Sequence, residues 1–518
     1  MYTVEVRSSC IILHNYTFGD NTRLEKILSI WDKARHRYNP VARYYDSINK
    51  DLYICRGLET WLVVPSFARD IVSYTRPDQF DNIGQVLLNT QPRDTRQMEA
   101  IKFCVGADQY YQNRSVPQLH LNLTTGAGKS YIAVFCFAFY SVRSMVITSS
   151  VSWLSQWRDK VLEYTNLRND EIYLIAGSDS INKLFNGKVD RRRIKFYLAT
   201  HSTLNSYGKT NGWDKLRELF QELRIGIKIY DEAHLYFDNI CRIDFFTNVW
   251  KTYYLTATPL KSDFFENKIY QKCFATVPKI NLFDEVNDPH TSYLAIFFNS
   301  HPSAFDLQKC SNANQYGFSI IEYINYFSQT EIYYKLLRLV LVHCFAGMQP
   351  DERVLIYIGK NDAIMKTYYW LRYYYYNVSV GIYTSIVKEN KQEQLNSTII
   401  LTTSKSAGVL LDIPKLKKVI IFCEPFNSPV LAQQILGRTR DKDTEMIELV
   451  DCGFPRIQEW YYNKKRSVYN KYATQVNEIS YTEAEINSAL LDIERQQKEK
   501  LEASKPTLRQ VVDIVSIQ

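Results

Sequence analysis

No two of the ten cysteines stand as a C-x-x-C pair, so neither a zinc site nor a disulfide framework is signalled, and a reducing compartment is expected. The N-terminus, MYTVEVRSSCIILHNYTF, lacks a basic start followed by a long apolar run, and no secretory signal is expected there. The longest apolar stretch, Tyr131–Val142, is too short to cross a bilayer. No short-period repeat occurs, which excludes solenoids and propellers. Neither a metal cluster nor a nucleophilic triad is visible, so hydrolase chemistry of those kinds is not expected.

The 518 residues present exceed what one core serves, and two to four domains are expected. Net charge is +8, a mild excess that suits a phosphate-backbone partner without requiring one. The opening block, 1–90, has mixed signals: a helix over Leu24–Trp31 and strands over Asp51–Val64 around the Arg56-Gly57 turn, together a small α/β accessory domain. From 91 to 275 apolar strands alternate with helices: LHLNL (119–123), SMVITS (144–149), IKFYLAT (194–200), IGIKIY (225–230) and TYYLTAT (252–258). Buried strands alternating with helices predict a parallel sheet. Residues 276–330, with their prolines, asparagines and serines, read as a connector.

A second strand–helix series fills 331–470: RVLIYI (353–358), VSVGIYT (378–384), STIILTT (397–403), KKVIIFCE (417–424) and MIELVD (446–451). The prediction is an α/β chain with two tandem RecA-like parallel-sheet lobes and a cleft between them. Residues 471–518 read as a helical tail, with Thr482–Ala503 a solvated helix.

The strand LHLNL runs into Thr124-Thr125-Gly126-Ala127-Gly128-Lys129-Ser130, and the helix YIAVFCFAFYSV follows. Glycines let backbone N–H groups approach phosphates, and the helix N-terminus adds its positive end. Lys129 can reach β- and γ-phosphates and the Ser130 hydroxyl can hold Mg²⁺, so ATP with Mg²⁺ is the expected cofactor pair. The loop departs from the full G-x-x-x-x-G-K-S, because Leu123 stands where the first glycine would be. The bland alternative is a glycine turn with an incidental lysine. Directly after IGIKIY comes Asp231-Glu232-Ala233-His234. Asp231 can hold Mg²⁺ through water and Glu232 can orient or deprotonate the attacking water.

TTGAGKS, then YDEAH, then LTATPL (255–260), then QQILGRTR (433–440) resembles a superfamily 2 DEAD/DEAH-like helicase. The resemblance covers roughly 91–470 and points to the branch with UvsW-type helicases and those of large cytoplasmic DNA viruses. It implies two lobes that close on ATP and ratchet along one strand. PRDTRQMEAI (92–101) is similar to the segment whose glutamine reads adenine, which puts Gln97 in that role with Arg93 a helper; the alternative is a polar residue at a helix start. By the same resemblance, Thr125, Gly126, Ala127, Gly128 and Asp412 contact nucleotide. Ser149, Ser150, Thr200, His201 and Gly408 contact nucleic acid, while Gln156-Trp157 pack. Thr256, Thr258 and His234 couple the ATP site to the strand, although these hydroxyls can equally cap the next segment.

Arg438 is the implied transition-state arginine. Arg440 is the second candidate, because Asp441 occupies the position where the family has its other arginine. The Gly408-to-Asp412 spacing also departs from the family's G-x-D. Lys464, Lys465 and Arg466 can touch phosphate, with Tyr461 and Tyr462 packing their helix.

Four readings follow. The first is a helicase or translocase on nucleic acid, DNA ahead of RNA, moving 3′ to 5′. Next come a viral transcript-release factor using the same motor and a nucleic-acid-triggered ATPase switch. A degenerate binding module ranks last, because Lys129 and Glu232 are both present. A monomer without membrane contact is expected, with transcription or replication proteins as partners. The expected place is intracellular and, for a virus, the host cytoplasm and the virion.

Overall fold

The structure is a computed structural model. It describes residues 2–32, 36–64, 72–123, 127–256, 264–282, 291–311, 317–387, 390, 393–407, 413–436 and 443–503. The chain divides into two compact units, Met1–Glu285 and Val286–Gln518.

The first unit opens with β1 (Thr3–Val6), β2 (Cys10–His14), β3 (Ser29–Asp32), β4 (Arg37–Pro40), β5 (Arg43–Asp46), β6 (Asp51–Cys55) and β7 (Val72–Tyr74). Five of these form a sheet in the order β5-β6-β2-β1-β7, and β3 and β4 form a separate antiparallel pair. The helix expected over Leu24–Trp31 is shorter, Thr22–Ile27, and Ser29–Trp31 lies in β3 instead. Leu28 ends it by capping back onto Leu24 and Lys26. Of the strands expected over 51–64 only β6 forms, followed by the short helix Thr60–Val63.

β8 (Gln118–Leu123), β9 (Ser144–Thr148), β10 (Ile172–Ile175), β11 (Phe196–Thr200), β12 (Ile227–Asp231), β13 (Lys251–Thr256) and β14 (Lys279–Leu282) follow. They form one parallel sheet in the order β10-β11-β9-β12-β13-β8-β14. Both faces of this sheet are buried, which is why its strands read as continuous apolar runs. One face shares a core with the N-terminal sheet: Cys10, Ile12 and Ile54 pack with Met145, Tyr230 and Phe245. The other packs the helices Thr95–Val105 and Lys129–Tyr140.

The second unit holds β15 (Thr291–Phe298), β16 (Arg353–Ile358), β17 (Val380–Tyr383), β18 (Ile399–Thr402), β19 (Leu416–Cys423), β20 (Thr444–Asp451) and β21 (Val476–Ser480). All are parallel, in the order β17-β18-β16-β19-β20-β15-β21. The segment expected as a connector, 276–330, therefore contributes β14 to one sheet and β15 to the other. The expected helical tail contributes β21. Its helix Glu483–Ala503 is not merely solvated: Ile486 and Leu490 enter the second core, and Glu483 and Glu494 pair with Lys335 and Arg338.

Candidate nucleotide site

In a parallel sheet, ligands approach at the carboxyl ends of the strands. β8 ends at the phosphate loop, β12 ends at Asp231, and β13 lies hydrogen-bonded between them and ends at Thr256. The sequence thus delivers three chemical groups to one edge from three neighbouring strands.

Lys129 begins the helix that follows the loop, and its Nζ donates to Glu232 Oε1 at 2.5 Å. Glu232 is 1% exposed and Lys129 9%. Glu232 sits at φ +52°, a left-handed conformation that costs a non-glycine residue about 1 kcal/mol or more. The backbone on either side holds it there: Asp231 is the last residue of β12, and Ala233 N donates to Leu255 O on β13. Asp231 Oδ2 accepts from the Trp157 indole Nε1 at 2.8 Å. Burial pushes the Asp231 carboxyl up and the adjacent Glu232 charge adds to this, while Lys129 and the Trp157 hydrogen bond pull it back. His234 Nδ1 lies 2.7 Å from Thr256 Oγ1 and 3.3 Å from Glu232 Oε2. The expected coupling pair, Thr256 and His234, is therefore in direct contact. Lys160 Nζ lies 3.4 Å from Ser130 Oγ.

Gln97 comes to the same place. Asp94 caps the helix Thr95–Val105 by accepting from Gln97 N. The Gln97 Oε1 accepts from Arg93 N at 2.7 Å. Its Nε2 lies over Gly128, where any Cβ would overlap it. Gly128 has φ +80°, so any side chain there would be strained and would also have to displace the end of Gln97. The amide oxygen keeps a second lone pair for an adenine amino group.

Other expectations fare differently. Thr200 and His201 do not present themselves to a strand. The Thr200 hydroxyl caps the helix His201–Asn211, accepting from Thr203 N, and is fully buried. His201 is 2% exposed and packs against Tyr236, and burial lowers its pKa to about 4. Ser149 and Ser150 are half-buried beyond β9. Lys465 and Arg466 are not open phosphate ligands either. Lys465 is buried in an ion pair with Glu448, and Arg466 pairs with Glu478 at 2.7 Å. Lys464 is exposed. Tyr461 packs as expected, whereas Tyr462 is 45% exposed. Thr125, Gly126, Thr258, Gly408, Asp412, Arg438 and Arg440 lie outside the described residues. The start of TTSKSAG is tied to the end of β19, two strands away, where Ser404 N donates to Glu424 Oε2 at 2.8 Å.

Sequence reasoning missed the Trp157 contact, having read that residue as packing. The signal available was a polar-tipped aromatic nine residues after β9, on the helix that follows that strand.

Residues 89–261 match the family described as "Type III restriction enzyme, res subunit". A putative DNA 3'-5' helicase Rad25 from Haloarcula marismortui is 26% identical over 145 residues, 28% of this chain and 20% of that protein. A DNA 3'-5' helicase XPB from Kineococcus radiotolerans is 27% identical over 149 residues, 29% of this chain and 24% of that protein. The matched part is thus a fifth to a quarter of those relatives' length. Among solved structures, S. cerevisiae Dbp5 bound to RNA and ADP BeF3 aligns at TM-score 0.48 and 14% identity, over 78% of this chain and 96% of that one. T4 UvsW aligns at TM-score 0.33 and 13% identity, over 92% and 99%. The family match over residues 89–261 and the order of the motifs make this part of the chain similar to the superfamily 2 DEAD/DEAH-like helicases, and Lys129, Asp231 and Glu232 converge there on one sheet edge.

Proposed function

We propose that the chain is a nucleic-acid-dependent ATPase that converts hydrolysis into movement along, or unwinding of, a strand, with DNA ahead of RNA and 3′-to-5′ travel. The observation that carries this is the Lys129–Glu232 contact at the carboxyl edge of a parallel sheet, with Asp231 held by Trp157 beside it. The names of the DNA helicase relatives favour DNA.

The donor set fits MgATP. Asp231 and Glu232 are buried side by side next to Lys129, with Lys160 beside Ser130, and Gly128 adds no side chain under Gln97. When bound, Mg²⁺ would neutralise phosphate charge. Ser130 and Asp231 would hold it. Lys129 exchanges its Glu232 partner for phosphate oxygens, which frees Glu232 to orient and deprotonate water in line with the γ-phosphorus. Gln97 selects adenine. His234 and Thr256 transmit the state of Glu232 to the end of β13. Arg438, or Arg440, supplies transition-state charge, Asp412 contacts the nucleotide, and Ser149, Ser150 and Gly408 touch the strand. The absence of any C-x-x-C pair among the ten cysteines favours a reducing, intracellular home.

The test is steady-state ATP hydrolysis without polymer and with single-stranded DNA, duplex DNA or RNA. Stimulation by a polymer is expected. Hydrolysis that ignores every polymer would replace the motor with a free-standing ATPase.

A further inference from the structure

The helix Asn361–Tyr374 of the second unit follows β16 and packs beside β17, the end strand of its sheet. Its inward face is ordinary: Ala363, Ile364, Thr367 and Leu371 are buried. The outward face is not. Tyr369 is 65% exposed, Tyr373 76% and Tyr374 59%, and Tyr376, just past the helix end, is 79% exposed. Lys366 and Arg372 are exposed on the same side. Lys366, Tyr369, Arg372 and Tyr373 follow at spacings of three, three and one, which is one stripe of a helix. From Ala363 to Lys388 the chain contains no Asp or Glu. Neither Lys366 nor Arg372 has an ion-pair partner among the described residues, although most surface cations along this unit do, among them Lys335, Arg338, Lys415 and Lys418.

We infer that this tyrosine stripe is a stacking platform for single-stranded nucleic acid, separate from the motif residues of the lobe. Tyr369 and Tyr373 meet Tyr368 and Tyr374 edge-on and leave most of their surface in water, where each ring offers a π-face to an unpaired base. Two uncompensated cations between them suit the phosphates that join those bases. Beside the stripe, Trp370 packs 4.6 Å from Tyr374 and 5.3 Å from Tyr334, which ties this end of the helix to an aromatic neighbour. Charge selects the occupant. A protein surface would meet these rings as readily, but an apolar docking face has no use for two unpaired cations and a long stretch without acidic residues. Stacking is tolerant of sequence, so the platform would grip a strand without reading it.

The inference adds to the proposed motor but does not require hydrolysis. The test is fluorescence anisotropy of labelled 20-mer single-stranded DNA and RNA with the full chain in the absence of nucleotide. The Tyr369→Ala/Tyr373→Ala/Tyr376→Ala variant is expected to lose about tenfold or more in affinity, since each stacked base contributes of that order. Lys366→Gln/Arg372→Gln is expected to lose a few-fold and to flatten the salt dependence. An abasic oligonucleotide of the same length must bind wild type and the tyrosine variant equally, because it has phosphates but no bases to stack. Polymer-free ATP hydrolysis is expected to be unchanged in both variants, which separates this platform from the catalytic site. Equal affinity of wild type and the tyrosine variant for the normal 20-mer would overturn the proposal and leave the stripe to a protein partner. A loss seen equally with the abasic strand would also overturn it.

Discussion

Each unit is built on a seven-stranded parallel sheet and each buries charge, but they bury it differently. In the first, Asp231 and Glu232 stand side by side at a strand end, two like charges with Lys129 against one of them. In the second, Glu448 lies within β20, paired with Lys465 and accepting hydrogen bonds from Tyr293 and Tyr469 at 2.7 and 2.8 Å. The second arrangement is neutral and complete. In the first, the two neighbouring carboxylates raise each other's cost of ionisation, and Lys129, Lys160 and the Trp157 hydrogen bond oppose it. Buried charge alone therefore does not mark a site; like charges side by side at a strand's carboxyl end do.

The comparison breaks most sharply at its two lysines. Lys129→Ala is expected to lower ATP turnover by on the order of 10³-fold, since it removes a charge aimed at the phosphates, while hydrogen exchange in β8 and β12 stays near wild type. Wild-type turnover in that variant would remove Lys129 from the site. Lys465→Met should do the reverse. It leaves Glu448 buried without its counter-charge, at about 3–5 kcal/mol, and should speed exchange across β15 and β20 with little direct effect on chemistry. Adding Glu448→Gln is expected to recover most of that loss, because the glutamine oxygen still accepts from both tyrosines. No recovery would mean that packing, not charge, is what Lys465 supplies.

Acid should tell the units apart more gently. His201 is buried neutral in the first unit, with its pKa lowered to about 4 from an ordinary 6.5. The unfolded chain takes up that proton first, so stability falls as pH drops from about 6.5 towards 4, by about 3 kcal/mol in all. His120, lowered to about 3 by burial, acts in the same direction. The described histidines of the second unit, His301 and His343, are exposed. A His201→Gln variant should therefore show a shallower acid transition in the first unit alone; an unaltered acid slope would count against a buried neutral imidazole.

The smallest expected effect is at Trp157. Trp157→Phe keeps the ring and loses one hydrogen bond to a charged group, about 1.5 kcal/mol. It should weaken Mg²⁺-dependent nucleotide binding about tenfold, read by equilibrium binding of a fluorescent ATP analogue at varied Mg²⁺. Unchanged Mg²⁺ dependence would make Trp157 a packing residue after all.

What was legible in the sequence follows from how each feature is encoded. The phosphate loop and Asp231-Glu232 were readable because their chemistry needs adjacent residues at fixed spacing. The ten predicted strands were readable because burial on both faces writes an unbroken apolar run. β21 was missed because an end strand with the sequence VNEIS has no buried face to announce it. β15 is apolar from Tyr293 onward but lies between stretches rich in proline, asparagine and serine, and that composition suggested a connector. The roles of Thr200, His201 and Lys465 failed for one reason: position in a motif says nothing about whether a side chain points out or in.

β15 pairs with β20 on one side and β21 on the other, over Tyr293–Phe297 on the β21 side. A shortened chain cut after the last recognisable motif, near residue 470, would keep every residue of the proposed engine and lose β21. It would then present TSYLAIFF as an open sheet border, eight residues with no charge to deter another copy from adding itself. β21, the last strand among the described residues, is thus also what keeps β15 from templating another copy.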